Sequence, residues 1–188
     1  MQDYSPRTNI FGQDFQYYFD QYTELAGYAK ANIWMSCDDH DDLDVAVQIR
    51  KISKSGKPLD HLNYPCPVPI DEVPSVNTAK CLGPQGFLRA SHSNTKVDAL
   101  STDQEIFYQH DCRESIPPGT ITKLEITLWP MGIAFAPGEG IMLRVAGHDM
   151  CLPETSRIKA ASANNENVGV HKIHTGGKFQ SCIVLPFI

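Results

Sequence analysis

The sequence predicts an all-β protein, a sandwich of two antiparallel sheets, and three observations carry that reading. Apolar residues recur with period two and nowhere sustain the 3.6-residue period of a helix. Thirteen glycines and thirteen prolines are spread through the 188 residues, so many short elements are joined by turns. Strong breakers then separate the runs: Lys54-Ser55-Gly56-Lys57-Pro58, Ile116-Pro117-Pro118-Gly119, Ala136-Pro137-Gly138-Glu139-Gly140 and Thr175-Gly176-Gly177-Lys178. Strands punctuated in this way fit a jelly roll or an immunoglobulin-like sandwich.

The length favours one domain over residues 1–188, long enough to hold a core without disulfides or metal. An N-terminal extension, residues 1–14, precedes a first alternation of Phe15, Tyr17 and Phe19. Ala29, Ala31, Ile33 and Met35 then alternate against Lys30, Asn32 and Trp34. The clearest strand is DDLDVAVQIRK: Leu43, Val45, Val47 and Ile49 face a core, while Asp44, Ala46, Gln48 and Arg50 face water. A proline-rich excursion, residues 57–85, contains Pro58, Pro65, Pro67, Pro69, Pro74 and Pro84 and is unsuited to a central strand. Later strands are Phe87 to Ser91, Lys123 to Trp129, Ile141 to Ala146 and Ser181 to Phe187. Between the last two, residues 153–168 end in the polar run ASANNEN and read as a flexible loop.

Charge and hydropathy exclude several functions. The net charge of −6 comes without a basic block, so nothing in the chain matches a phosphate backbone, and nucleic acid is not an expected partner. No apolar run is long enough to span a membrane, and the first residues lack the basic and apolar regions of a secretion signal. Cys37, Cys66, Cys81, Cys112, Cys151 and Cys182 are scattered without a C-x-x-C pair. That usage favours reduced thiols in a cytoplasmic compartment over a disulfide framework or a zinc site.

Four constellations carry candidate chemistry. No serine is flanked by glycines in the Gly-x-Ser-x-Gly elbow that exposes a nucleophile, and His148-Asp149 after the strand IMLRVA reads as a loop entrance, so no catalytic residue is expected. Asp38, Asp39, Asp41, Asp42 and Asp44 fill five of seven positions around His40. Asp41, Asp42 and Asp44 are the calcium candidates among them, although the spacing lacks the glycine and final glutamate of an EF-hand. The preferred reading is a solvated strand entry whose charge discourages edge pairing. His171 and His174 stand three apart on a strand and therefore point to opposite faces, which argues against one metal between them. Trp34, Trp129 and the tyrosines offer the material for a sugar-stacking platform without any excess of aromatic residues. No cofactor is expected.

Several segments, in order, resemble one family: TELAGYAKANIWMSC, DDLDVAVQIRK, GFLRASH (86–92), PPGTITKLEITLWPMGIAFAPGE (117–139), GIMLRVAGHD (140–149) and HKIHTGGKFQSCIVLPF (171–187). From about Phe15 to Ile188 the chain is similar to the C-terminal jelly-roll domain of the CocE/NonD-type hydrolases, the family of cocaine esterase, α-amino acid ester hydrolase and X-Pro dipeptidyl-peptidase. The resemblance implies a galactose-binding-domain-like jelly roll that is itself non-catalytic. It also implies packing on an α/β-hydrolase domain, in cis or as a separate chain, where the Ser-Asp-His triad lies and whose substrate cleft the jelly roll helps shape. The family positions that carry over are structural: Gly86, Leu88, Arg89, Ala90 and Ser91, then Pro118 and Gly119, then His174, Gly176 and Pro186. The chain alone is expected to be inactive and to self-associate through the face a hydrolase would cover, for which the segments Tyr4 to Tyr22 and Leu59 to Val76, including Phe11, Phe15, Tyr64 and Ile70, are the candidates. The competing expectation is an independent carbohydrate- or ligand-binding jelly roll.

Overall fold

The computed structural model describes residues 2–4, 12–62, 65, 67–73, 80–148, 150 and 167–188. Its strands are β1 (Gln2–Tyr4), β2 (Gln13–Tyr18), β3 (Thr23–Cys37), β4 (Asp44–Ile52), β5 (His61–Leu62), β6 (Lys80–Cys81), β7 (Gln85–Arg89), β8 (Thr122–Phe135), β9 (Gly140–Ala146), β10 (His171–His174) and β11 (Cys182–Val184). Among the described residues, helix is confined to two 3-10 segments, Ala90–Thr95 and Asp98–Leu100. One sheet runs β1-β10-β3-β11 with β8 on the other edge of β3, the second runs β2-β9-β4-β7, and β5 pairs with β6 alone. All the strand pairs are antiparallel. The chain is an all-β sandwich.

Alternation explains which side chains fill it. Odd-numbered residues of β3, from Leu25 through Ala29, Ala31, Ile33 and Met35 to Cys37, are buried with Leu124, Ile126 and Leu128 of β8. Val45, Val47 and Ile49 of β4, Leu88 of β7, and Ile141 and Val145 of β9 meet them from the second sheet. Each such aliphatic side chain contributes roughly 1.5–3 kcal/mol on burial.

Strand β8 continues through Pro130, where the sequence reading ended it. Ala29 pairs with Leu128 and Gly27 with Met131, so one residue of β3 faces two of β8. This bulge absorbs the proline, which cannot donate to the ladder. It also shifts the buried positions of β8 from even numbers to Met131 and Phe135. Opposite it, Gly27 adopts φ 128°, a backbone that a side chain would strain.

Three other expectations change. Residues 1–14 are more than an extension, because β1 joins the first sheet beside β10 and β2 begins at Gln13. The strand expected over 87–91 stops at Arg89. The amide of Ala90 donates to Leu43 O at 2.8 Å and that of Ser91 to Asp42 Oδ1 at 2.9 Å, which draws the chain off the ladder into a 3-10 turn. The outward face of β4 is not wet, since Ala46, Gln48 and Ile52 are buried along with Met142 and Ala146 of β9. The proline-rich excursion folds back here: Leu59 N donates to Lys51 O, Ile49 N donates to Pro84 O, and Asp60 bridges Arg50 at 2.7 Å and Lys80 at 3.3 Å. The loop read over 153–168 lies outside the described residues except for Asn167 and Val168.

Two ion pairs clasp the second sheet across neighbouring strands. Asp44 and Arg89 are register partners between β4 and β7, with Arg89 Nε and Nη2 donating to the two carboxylate oxygens at 2.7 and 3.0 Å. Asp14 and Arg144 repeat the geometry between β2 and β9, both bonds at 2.7 Å. Both pairs are bidentate, which raises their worth above that of a loose surface contact.

Three outcomes follow for stability. A Cβ on Gly86 would sit 2.2 Å from Thr127 O, where β7 crosses the first sheet. Gly86→Ala should therefore cost about 1–3 kcal/mol or more, read as a lower urea midpoint, because both clashing atoms belong to strands. Arg89→Ala should cost about 1–3 kcal/mol, since the pair is largely but not fully shielded and Asp44 loses its guanidinium partner. An unchanged midpoint would show that the clasp adds nothing. His171, fully buried at the start of β10, has its pKa lowered to about 4 by desolvation, with Asp44 opposing and His40 adding to the shift. The unfolded imidazole titrates near 6.5. The stabilisation is thus complete above that pH and disappears as pH falls to about 4, worth about 3 kcal/mol in all. Calorimetry between pH 7 and 4 should show a shallower decline for His171→Gln than for the parent chain.

Candidate functional site

Strand direction sorts the surface into two ends. β3, β7 and β9 deliver the chain to one end, where residues 38–43, 90–121 and 167–170 form its loops, and β4, β8 and β10 leave from it. The opposite end carries the turns after β2, β4 and β8 together with the C-terminus. Long loops held on a rigid scaffold are where binding groups usually sit.

At the loop end the acidic run is dispersed. Asp38 pairs with Lys172, Asp39 Oδ2 accepts from Val170 N at 3.1 Å, and Asp44 is held by Arg89. Asp41 is bonded to Ser115, which holds its carboxyl below the usual carboxylate range. Asp42 is buried: Oδ1 accepts from Leu43 N and Ser91 N, both at 2.9 Å, while Arg113 Nη2 lies 3.1 Å from Oδ2. The calcium candidates Asp41, Asp42 and Asp44 therefore point at three different protein donors. Among the described residues no group of three or more His, Cys, Asp or Glu side chains is placed to hold a metal ion.

The turn that follows β7 presents His92, whose ring lies 5.0 Å from that of His110 in an edge-on arrangement. His110 takes φ 56°, uncommon for a residue with a side chain. Tyr108 donates to Glu125 O at 2.7 Å, and its burial pushes the phenol pKa up. Glu114 N donates to Ser91 O, and Asn94 donates to Glu114. These contacts fasten the 90–116 segment to the sandwich.

Ser36 Oγ and His174 Nε2 are 2.8 Å apart, but Ser36 is buried within β3 and closed to a substrate. His148 is half-buried at the end of β9, and Asp149 lies outside the described residues. His171 points into the core and His174 to the outer face of the first sheet, as positions three apart on a strand require.

The family positions carried over from sequence take structural places. Gly86 packs on Thr127, Leu88 and Ala90 are buried, and Ser91 is fixed by Asp42. Gly119, following Pro118, donates its amide to Cys37 O at 2.7 Å. Gly176 closes the hairpin between β10 and β11 at φ 81°, and Pro186 accepts from Ala26 N while covering Gly27. Cys37, Cys81, Cys112 and Cys182 are free thiols; Cys66 and Cys151 lie outside the described residues.

The opposite end is aromatic. Tyr17, Tyr22 and Phe187 are each about 60% exposed and Ile188 is 82% exposed around an open groove of about 640 Å³. Phe19 forms its buried floor, packing on Phe135 at 4.8 Å and on Phe187 at 6.2 Å. Asp20, Gln21 and Glu24 supply polar groups at the rim, and Tyr22 donates to Glu24. Of the residues sequence suggests for an exposed face, Phe15 and Ile70 are half-buried, while Phe11 and Tyr64 lie outside the described residues. Phe187 and Ile188 escaped notice because a terminal apolar pair reads equally well as strand. The two tryptophans do not join the groove: Trp34 packs on Phe179 at 5.4 Å, and Trp129 is exposed beside the β8 bulge.

Known proteins place the chain. Residues 13–184 match the family model of the X-Pro dipeptidyl-peptidase C-terminal non-catalytic domain. The crystal structure of a CocE/NonD family hydrolase from Staphylococcus aureus superposes with a TM-score of 0.81 at 26% identity, covering 100% of this chain and 32% of that one. An aminopeptidase from a marine-sediment Thaumarchaeota archaeon gives 0.55 at 15% identity, with 96% of this chain and 26% of that one covered. An α-amino acid ester hydrolase gives 0.57 at 12% over the same shares, and these last two are similar in fold alone. No curated protein sequence matches the chain. The chain spans about a third of the staphylococcal hydrolase. On the match over residues 13–184, it belongs to the family of X-Pro dipeptidyl-peptidase C-terminal non-catalytic domains found in CocE/NonD-type hydrolases.

Proposed function

We propose that this sandwich serves as the accessory domain of a serine hydrolase of the esterase, acylase or X-Pro dipeptidyl-peptidase type. It packs on an α/β-hydrolase domain, in cis or as a separate chain, and helps shape the substrate cleft. The observation that carries the reading is the partial coverage: the whole chain corresponds to 32% of a hydrolase, and its own family is non-catalytic. Catalytic machinery then belongs to the other two thirds of such a protein.

The aromatic end is the docking face in this proposal. Three aromatic side chains and the C-terminal isoleucine are exposed together there, and apolar patches of that kind mark interaction sites in soluble proteins. Interfaces between domains of one chain bury about 600–1,500 Å², which such an end can supply with its flanking turns. The rim of that aromatic end, with Asp20, Gln21 and Glu24, then borders the cleft, while the loop end, tied down by Asp42, Arg113 and the 3-10 turn, points away from the docked domain. A sugar-binding module is the second reading, favoured by Tyr17 and Tyr22 standing beside Asp20 and Glu24. Rings for stacking and carboxylates for hydroxyl groups are the chemistry a sugar needs.

Two measurements separate these readings. A fluorophosphonate probe should leave the isolated chain unlabelled, and esters and X-Pro peptides should not turn over, because Ser36 is buried and no elbow presents a hydroxyl. Stoichiometric serine labelling would defeat the accessory-domain reading. The chain should also bind a hydrophobic dye or self-associate in sedimentation velocity, and Tyr22→Ser with Phe187→Ser should abolish either behaviour. A dye-negative monomer retained on a glycan array would instead establish the sugar-binding reading.

A further inference from the structure

The sandwich is open along one side. On β3, Trp34 pairs with His174 of β10 and Asn32 pairs with Cys182 of β11, so the hairpin at 175–181 skips the place opposite Ile33. Ser181 repairs part of the gap, its hydroxyl accepting from Trp34 N at 2.9 Å and donating to His174 O at 2.7 Å. Across from this break lies β2, the edge strand of the second sheet. Between the two edges is a cleft of about 190 Å³.

Its walls are apolar and come from both sheets: Ile33, Ile173 and Ile183 on one side, Phe15, Ile141 and Leu143 on the other. Among the described residues no Asp, Glu, Lys, Arg or His lines it, and Gln16, Tyr17, Thr175, Ser181 and Cys182 supply its polar atoms. Voids of this size are uncommon in a close-packed interior. An enclosed apolar cavity of about 150 Å³ stays dry and accepts a benzene ring, because water finds no partners on such walls. Here the walls have the same chemistry and the cleft has a mouth for entry.

We propose that this cleft is a binding site for a small neutral apolar group, one aromatic ring or a short alkyl chain, with any polar end held at the Gln16–Thr175 mouth. The volume excludes larger ligands, since pockets for drug-sized molecules run from about 300 to 1,000 Å³. The described lining offers no Asp, Glu, Lys, Arg or His to pair with a charged ligand, and burying an unpaired charge is costly, so a neutral group fits it. The site lies between the sheets, shares Tyr17 with the aromatic groove, and does not depend on docking to a hydrolase.

The four isoleucines of the lining, Ile33, Ile141, Ile173 and Ile183, are built-in reporters. With isoleucine methyls labelled, toluene titrated into the chain should shift these four signals to saturation. Ile52 and Ile106, which do not line the cleft, should stay fixed. Ile183→Trp, at a half-buried edge position, should fill the cleft and weaken toluene binding about tenfold or more. Should that variant fail to fold, nuclear Overhauser contacts from toluene to the Ile33 and Ile173 methyls in the parent chain decide the matter. Absent or uniform shifts, missing contacts, or an Ile183→Trp chain that folds and binds toluene undiminished would each overturn the proposal.

Discussion

The first sheet hangs on a single strand. β3 runs fifteen residues from Thr23 to Cys37, and β8, β10 and β11 all take their register from it. Its odd-numbered side chains form the floor on which the second sheet packs. A strand of this length accumulates twist, and a partner must bend to follow it. β8 follows through its bulge at Trp129 and Pro130, which keeps inward residues inward after the extra position. The other edge is solved differently, by two short strands in series, and that choice leaves the gap opposite Ile33. Continuous pairing on one edge and interrupted pairing on the other are two answers to the same geometric demand.

Asp42 plays the corresponding part at the loop end. A wholly buried carboxylate is costly unless it is compensated, and here Oδ1 takes two backbone amides while Oδ2, without a hydrogen bond of its own, faces the Arg113 guanidinium at 3.1 Å, so three separate segments meet at it. Losing any one donor would leave charge unpaired in the interior, so the entry to β4, the turn after β7 and the segment around Arg113 are constrained together. The same contact keeps the aspartates of the run from converging. Asp42 is held as a structural cap, and its neighbours are drawn to Lys172, Val170, Ser115 and Arg89.

The parts of this fold that could be read from sequence are those where one physical rule acts alone. Alternation located β4, the second half of β3 and β9, because each has a full inward row of aliphatic residues. It misjudged the outer side of β4 for a reason that no local pattern reveals. Ala46 and Gln48 are small or polar enough to belong on a wet face, yet both are buried on a strand to which the proline-rich excursion returns at Ile49, Arg50 and Lys51. It ended β8 at Trp129 because proline normally terminates a ladder, whereas a bulge permits one. The family positions could be read from motif order, yet their roles needed coordinates: Gly86 matters for a carbonyl on the facing sheet, and Ser91 for a carboxylate forty-nine residues earlier. The aromatic end is not legible in the sequence because the exposure of Phe187 and Ile188 depends on how their segment lies against the β2–β3 turn, which composition does not encode.

These features divide the molecule between what must be conserved for folding and what is free to serve an interface. The inner rows, the two bidentate clasps and Asp42 account for packing, and none of them needs Tyr17, Tyr22, Phe187 or Ile188 to be apolar. Replacing those four by polar residues would leave the core cluster intact, apart from the edge-on contacts of Tyr17 and Phe187 with Phe19. Exposed aromatic side chains with so little structural duty raise the risk of association in an isolated chain, a cost that disappears once another surface covers them. The placement of apolar surface at an end, away from the sheet edges, also matters. Docking there would leave the β2 edge and the cleft behind it open, so a covering domain and a small apolar ligand could be held at once without competing for the same residues other than Tyr17, which lines both.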